Sequence, residues 1–322
     1  MITVYLKTET RELTIHKNIG DIPIEPFFER KSWIHLKNPT EEEIDLVVRK
    51  TGIGKDLLRI ALDEEETAHI DFENGVTMLI VDTPVLENDS ESSKYLTTPF
   101  GIFFNEDYFV TLCLKENMVE GAITSRGMKN FSTGKHVRLT IQLLYQNAIA
   151  FVNIMKLINK DSEAIERRLH QSMRNKELFE LMNLGKSLVY LSTGINANQL
   201  VLERFKRLDI YKKFEEDIAL LEDALIENRQ AMEMCSVHRD ILNGTMDAFA
   251  SIINNNVNHV MKTLTVVTIV LTIPTLVASF FGMNVNIPFA QDKLGFLYAV
   301  LISAVIAVIC AWALIRYTNP RR

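Results

Sequence analysis

The chain has 322 residues, 47% of them hydrophobic and 24% charged, with a formal net charge of −6. That length leaves room for two or three folded units and excludes a disordered tail, a collagen-like repeat and a small disulfide scaffold. The acidic balance argues against a nucleic-acid binder, which carries a basic face. Cys113, Cys235 and Cys310 lie far apart, form no CxxC and fit no disulfide framework or zinc knuckle, which points to a reducing compartment for the bulk of the chain.

The first residues, MITVYLKTETREL, lack the long apolar core and small-residue cleavage site of a signal peptide. Residues 1–135 mix short β-like runs with helical stretches, which predicts an α+β domain. ITVYL, VTMLIVD, FGIFFN and YFVTLCL read as strands. NPTEEEIDLVVRKTG reads as a helix with Thr40 as N-cap and Glu43 three residues on, a capping box. The run Gly52-Ile53-Gly54-Lys55-Asp56 lacks the first glycine of a P-loop and has Asp where Ser or Thr is needed, so no nucleotide site is expected. The acidic run Asp63-Glu64-Glu65-Glu66, followed by His69, Asp71 and Glu73, reads as a solvated face, with a cation site as the alternative.

From about residue 136 the pattern is helical and charged. Residues 136–174 and 176–207 read as two long helices, with Gly194 and Asn198 as weak points in the second. A last helix is expected to start near Phe214 and to reach Phe281, a stalk of roughly 100 Å at 1.5 Å per residue, with Gly244 as a place to bend. Cys235 and His238, with Met232 and Met234 nearby, are read as packing residues rather than a soft-metal cluster. No nucleophile–base constellation is readable, so the expectation is a non-enzyme.

The charge then disappears. Between residues 263 and 315 the only charged side chains are Asp292 and Lys293. The segments TLTVVTIVLTIPTLVASFF (263–281) and LGFLYAVLISAVIAVICAWALI (294–315) are each close to the roughly 20 apolar residues that span a bilayer. The predicted organisation is therefore a cytoplasmic α+β domain (1–135), a cytoplasmic long-helix stalk (136–261) and a transmembrane hairpin (262–322) with an outer loop at 282–293. Lys262 flanks the first span and Arg316, Arg321 and Arg322 flank the second, so both chain ends are placed in the cytoplasm. Trp312 and Tyr317 fall at the inner interface.

The first span is not a plain anchor. Asn254, Asn258, Met261, Thr265, Thr268, Thr272, Thr275 and Ser279 follow one another at alternating gaps of four and three, an unbroken heptad stripe. In a symmetric bundle such a stripe lines a central axis and holds water and ions without a fixed charge. The alternative is that the hydroxyls only support helix packing or bond back to their own backbone. Pro274 interrupts the backbone ladder of this span. The second span carries one serine, Ser303, among Ala, Val, Ile and Leu, which suits a lipid-facing outer ring.

The first span closes on Gly282-Met283-Asn284. A Gly-Met-Asn tripeptide ending the first of two C-terminal spans, behind a large acidic front part, resembles the CorA-type magnesium transporter family. The resemblance covers the whole architecture and implies a funnel-shaped homopentamer, self-associated in the cytoplasmic membrane, that conducts Mg²⁺ and in some members Co²⁺, Ni²⁺ or Zn²⁺. It implies Asn284 as the selectivity ring for a hydrated ion, with Gly282 permitting a tight helix exit and Met283 packing. In the family's register Ser279, Thr275, Thr272, Leu264, Met261 and Asn258 face the pore. The heptad stripe agrees except near Leu264, where it selects Thr265.

The resemblance also implies sensing of cytoplasmic Mg²⁺ by Asp223 on the stalk, with Asp89 of the neighbouring α+β domain as its partner. One departure stands out: the outer loop, VNIPFAQDK, carries a single acid, Asp292, where many members have several. Rival expectations are a zinc transporter, perhaps proton-coupled, and a membrane-anchored sensor or scaffold without flux.

Overall fold

The computed structural model describes residues 1–8, 11–17, 27–87, 94–117, 119, 132–172, 175–208, 214–283 and 294–318. The chain forms two compact units, Met1–Gly244 and Thr245–Arg322.

The first unit is built on a seven-stranded sheet. In chain order its strands are β1 (Ile2–Thr8), β2 (Arg11–Lys17), β3 (Trp33–Lys37), β4 (His69–Glu73), β5 (Val76–Leu86), β6 (Tyr95–Phe104) and β7 (Phe109–Cys113). Their spatial order is β2-β1-β3-β7-β6-β5-β4. Only the β3–β7 pair is parallel; Trp33 stands opposite Phe109 and Lys37 opposite Cys113. The other pairs are antiparallel.

Helices cover both faces, so the inner strands read as continuous apolar runs rather than alternating ones. All five residues of β7, FVTLC, are buried. On one face Ile34, Leu36, Ile80, Phe103 and Val110 pack with Ile44 and Val47 of α1 (Glu41–Thr51) and Leu57 and Leu58 of α2 (Lys55–Ile60). On the other face Trp33, Leu79, Phe100, Ile102 and Phe109 pack with α3 (His136–Ser172) through Leu139 and Leu143. The same cluster takes in Val201, Leu202 and Phe205 of α4 (Asn175–Lys206), and Leu221 and Ala224 of α5 (Glu215–Phe281).

Local signals explain several boundaries. Thr40 Oγ1 accepts from the Glu43 N–H and the Glu43 carboxylate accepts from the Thr40 N–H, so the expected capping box is formed. Gly52 ends α1 at φ 72°, a left-handed position that suits glycine. Gly54, two residues on, is the N-cap of α2, which places the discounted P-loop-like run on a helix–turn–helix corner.

One sequence expectation is corrected here. Gly194 and Asn198 are not weak points of α4; they are where it grips the sheet. β4 pairs with β5 only as far as Ile80. Beyond it Asp82 stands opposite Pro99, which has no N–H to exchange, so the N–H and C=O of Asp82 point to the unoccupied side. Asn198 fills that side: its Oδ1 accepts from the Asp82 N–H and its Nδ2 donates to the Asp82 carbonyl, both at 2.8 Å. Asn147 Nδ2 donates to the same carbonyl at 2.8 Å. Gly194 allows the approach, since a Cβ there would lie 2.9 Å from both Asp82 Cβ and Thr97 Cγ2.

The second unit holds the C-terminal part of α5 and the helix α6 (Gly295–Thr318). α5 is helical without interruption from Glu215 through Pro274 to Phe281.

Candidate functional site

Three helical stretches among the described residues are long and apolar enough to cross a membrane: His136–His170, Glu215–Phe281 and Gly295–Arg316. Their surroundings separate them. In His136–His170, 61% of the most apolar window is buried inside the protein, against 6% in each of the other two. The apolar face of α3 is thus satisfied by the sheet and its neighbouring helices. The other two expose apolar side chains on all sides, as a span in lipid does.

Within the second unit, α5 and α6 share a cleft of about 460 Å³. From α5 it is lined by Pro274, Val277, Ala278 and Phe281, and from α6 by Phe296, Ala299, Val300 and Ser303. Val277 and Ser303 are the buried members. Positions 274, 277, 278 and 281 form one helical face. The polar stripe, at 272, 275 and 279, is centred about 140° further round the helix. Asn254, Asn258, Met261, Thr265, Thr268, Thr272, Thr275 and Ser279 are all exposed, as is Leu264. The stripe therefore does not serve the α5–α6 contact.

The threonine hydroxyl hydrogens are nevertheless committed. Thr265 donates to Met261 O, Thr268 to Leu264 O and Thr272 to Thr268 O, each at 2.8 Å, and Thr275 to Leu271 O at 3.4 Å. Bonding back to the backbone, one of the two local uses foreseen for these hydroxyls, is present at these four threonines. A hydroxyl that donates to its own helix keeps its lone pairs, so it turns outward as an acceptor. Thr265, Thr268, Thr272 and Thr275 are thus a line of acceptors with no charge on it.

At the end of α5 the Gly282 N–H donates to Ala278 O at 3.0 Å and the Met283 N–H to Phe280 O at 3.2 Å. The helix closes there, and a Cβ on Gly282 would sit 3.3 Å from the Ala278 carbonyl. Met283 is exposed. Asn284 and the outer-loop residues through Lys293, Asp292 included, lie outside the described residues. At the other end of α6 the Arg316 guanidinium lies 5.2 Å from the Trp312 ring centre, a cation–π contact in the last turn of the helix, where positive charge is favoured. The Tyr317 side chain, Arg321 and Arg322 are outside the described residues.

In the first unit Asp223 is exposed on α5. It lies on the side of Tyr145 of α3, whose phenol pKa is pushed up by burial and then by the charges of Glu227 and Asp223. Asp89 lies outside the described residues, so the two are not brought together here. The run from Asp63 to Glu66 lies largely at the surface, and His69 Nδ1 stands 3.5 Å from Glu66. Cys235 Sγ donates to Leu188 O at 3.4 Å and is buried. Among the described residues no group of three or more His, Cys, Asp or Glu is placed to hold a metal ion.

Sequence reasoning passed over Asn228, which is 1% exposed on α5 and donates to Ile195 O at 3.2 Å and to Gln199 Oε1 at 3.0 Å. Its signal was a seven-residue repeat, Asn228, Cys235, Leu242, in which each residue is buried.

Comparison with known proteins settles the family. A family model described as CorA-like Mg²⁺ transporter protein matches residues 29–316. The chain belongs to the CorA family. It is 26% identical over 315 residues to the cobalt/magnesium transport protein CorA of Methanocaldococcus jannaschii, covering 96% of both chains. It is 22% identical over 319 residues to the magnesium transport protein CorA of Helicobacter pylori, again covering 96% of both. Among solved structures, the complete CorA magnesium transporter of M. jannaschii matches with a TM-score of 0.81 at 24% identity, covering 97% of this chain and 96% of that one. That likeness is one of fold, and it extends over the α/β unit, the long helices and the C-terminal hairpin of this CorA-family chain.

Proposed function

We propose that this CorA-family protein is a channel for passive uptake of divalent cations, Mg²⁺ first and Co²⁺ or Ni²⁺ with it, driven by membrane potential. The observation that carries the reading is the acceptor stripe on α5, uncovered and turned away from the α5–α6 contact. In the proposed assembly five copies bring this stripe to a common axis. The α6 helices then form the outer, lipid-facing ring in the cytoplasmic membrane, with both chain ends inside.

The chemistry suits a hydrated ion. Mg²⁺ sheds its six waters reluctantly. The hydrogens of those waters point outward, and Thr265, Thr268, Thr272, Thr275 and Ser279 offer oxygens to receive them. Neutral acceptors select without trapping the ion, as a ring of carboxylates would. Asn284, after Gly282 and Met283, is the proposed amide ring at the outer mouth. Asn258, Met261 and Leu264 form the proposed inner stretch, where apolar rings close by dewetting.

No ATP is required: at −100 mV a divalent ion gains roughly 4.6 kcal/mol on entry, worth about three decades of concentration. Closure is assigned to cytoplasmic Mg²⁺ bridging Asp223 and Asp89 across subunits. The names of the relatives, which are for cobalt and magnesium, weigh against the zinc alternative.

The test is ion influx into proteoliposomes that hold the purified full-length protein and an internal Mg²⁺ indicator. Mg²⁺ entry should rise with an inside-negative potential and should be altered or abolished in Asn284→Ala. Flux of Zn²⁺ under a proton gradient with none of Mg²⁺ would move the protein to the zinc branch. Absence of any ion flux at low internal divalent would leave the scaffold reading.

A further inference from the structure

Three pairs of consecutive residues on α4 divide their contacts in the same way. The first member of each pair meets the sheet. Ser187 Oγ accepts from the Tyr95 N–H at 3.3 Å. Gly194 lies against Asp82 and Thr97. Asn198 pairs with both backbone groups of Asp82.

The second member meets α5. Leu188 O accepts from Cys235 Sγ at 3.4 Å, Ile195 O from Asn228 Nδ2 at 3.2 Å, and Gln199 Oε1 from the same amide at 3.0 Å. Neighbouring residues on a helix stand about 100° apart, so α4 presents two distinct contact faces along one stretch.

We propose that residues 187–199 of α4 couple the sheet to α5, and that Asn228 is the positioning residue that sets the register of that coupling. This rests on the channel reading, in which cytoplasmic Mg²⁺ acts on the first unit and α5 carries the effect toward the pore. The physical argument is one of direction. The apolar part of the contact is non-directional and tolerates a slip along the helix axis. A buried amide that must find a carbonyl and a carboxamide does not, as single polar residues in helix–helix seams set register elsewhere. The acceptors are also unequal. Ile195 O sits inside a helix and keeps its own backbone bond, and Gln199 is only half-buried. Losing the Asn228 amide therefore costs register more than it costs folding.

Influx of Mg²⁺ into proteoliposomes is measured as a function of internal free Mg²⁺ for the wild type, Asn228→Leu and Gln199→Leu. Gln199→Leu removes one acceptor and leaves Ile195 O to the Asn228 amide, so it should shift closure less than Asn228→Leu does. Asn228→Leu should carry Mg²⁺ at low internal Mg²⁺ as the wild type does. Its half-closing concentration should rise at least about fivefold, the lower end of typical coupling between sites.

An unchanged half-closing concentration in a folded Asn228→Leu protein overturns the proposal. If that variant does not fold, Asn228→Ala, which removes the same amide without adding bulk, is read by the same criterion, and its unchanged closure overturns the proposal equally. A wild type that conducts with no dependence on internal Mg²⁺ defeats the gating reading and this inference with it. A wild type that does not conduct defeats the channel reading itself.

Discussion

The side chain of Asn198 and the backbone of Asp82 pair as two strands would: one N–H···O bond in each direction, both at 2.8 Å. A helix side chain thereby completes the edge of a sheet where β4 stops. Replacing Asn198 by Leu leaves the Asp82 N–H without a partner and its carbonyl with Asn147 alone. The expected cost is about 1–3 kcal/mol. Denaturant unfolding of the full-length protein in detergent should show a lower midpoint with an unchanged slope; an unchanged midpoint would contradict this pairing.

Two glycines in long helices should respond in opposite ways. A side chain at Gly194 meets Thr97 Cγ2 and Asp82 Cβ, and the latter is fixed to the backbone and cannot swing aside. Gly194→Val is expected to destabilise by about 1–3 kcal/mol. Gly244 has nothing within 4 Å of a built Cβ. Gly244→Ala should stabilise by about 0.5–1 kcal/mol, since helix interiors favour alanine over glycine. Thermal unfolding of the two variants side by side distinguishes packing from propensity.

Asp82 also makes stability depend on pH. Burial pushes its carboxyl from the ordinary 3.8 up to about 6. Between these values the folded chain holds a proton that the unfolded chain has released, so stability falls as pH rises through that window and levels off above it. The penalty at neutral pH is at most about 3 kcal/mol. Asp82→Asn removes it. The variant should match the wild type near pH 4 and exceed it increasingly up to about pH 6.5. A pH-independent difference between the two midpoints would refute the assignment to Asp82.

The stripe can be tested against its own control. Thr263 bonds back to His259 O at 2.9 Å, much as Thr272 does to Thr268 O, but it stands off the stripe. Thr272→Val should slow Mg²⁺ influx about tenfold, the kinetic equivalent of one hydrogen bond. Thr263→Val should leave it unchanged. Equal effects of the two would mean that the hydroxyls matter only to the helix that carries them.

Ser303 is buried in the α5–α6 cleft and its Oγ donates to Val300 O at 2.9 Å. The hydroxyl bonds only to its own helix, so its loss costs little, whereas a phenyl ring would enter the cleft that the two helices share. Ser303→Ala should assemble normally, whereas Ser303→Phe should reduce the yield of protein that withstands detergent extraction, as judged by size-exclusion profile.

Some of this was legible residue by residue. The Thr40–Glu43 capping box, strands β1, β5, β6 and β7, the three long helices and the two uncharged spans were all readable from local pattern. β2, β3, β4 and α2 were not. β4 (HIDFE) is short and mixed in polarity, and α2 (KDLLRI) has six residues, too few to establish a period. Pattern also misread Gly194 and Asn198, because helix propensity counts only what a residue does to its own helix. The stripe was found by spacing, but spacing was silent on where its hydroxyl hydrogens go. The helix itself decides that, by offering each threonine a carbonyl four residues back.

Where this chain is polar and where it is apolar follows from its residues alone, and with it the lengths of its helices, the heptad stripe on the first span and the tripeptide that closes it. These are properties of spacing along one chain, and periodicity and hydrophobic length report them directly. Which long apolar helix is covered by protein, which glycine is a contact and which asparagine completes a sheet became visible only in the folded chain. Each of those depends on a partner far away in sequence, as Asn198 depends on Asp82 and Asn228 on Ile195, and no local pattern carries the identity of the partner.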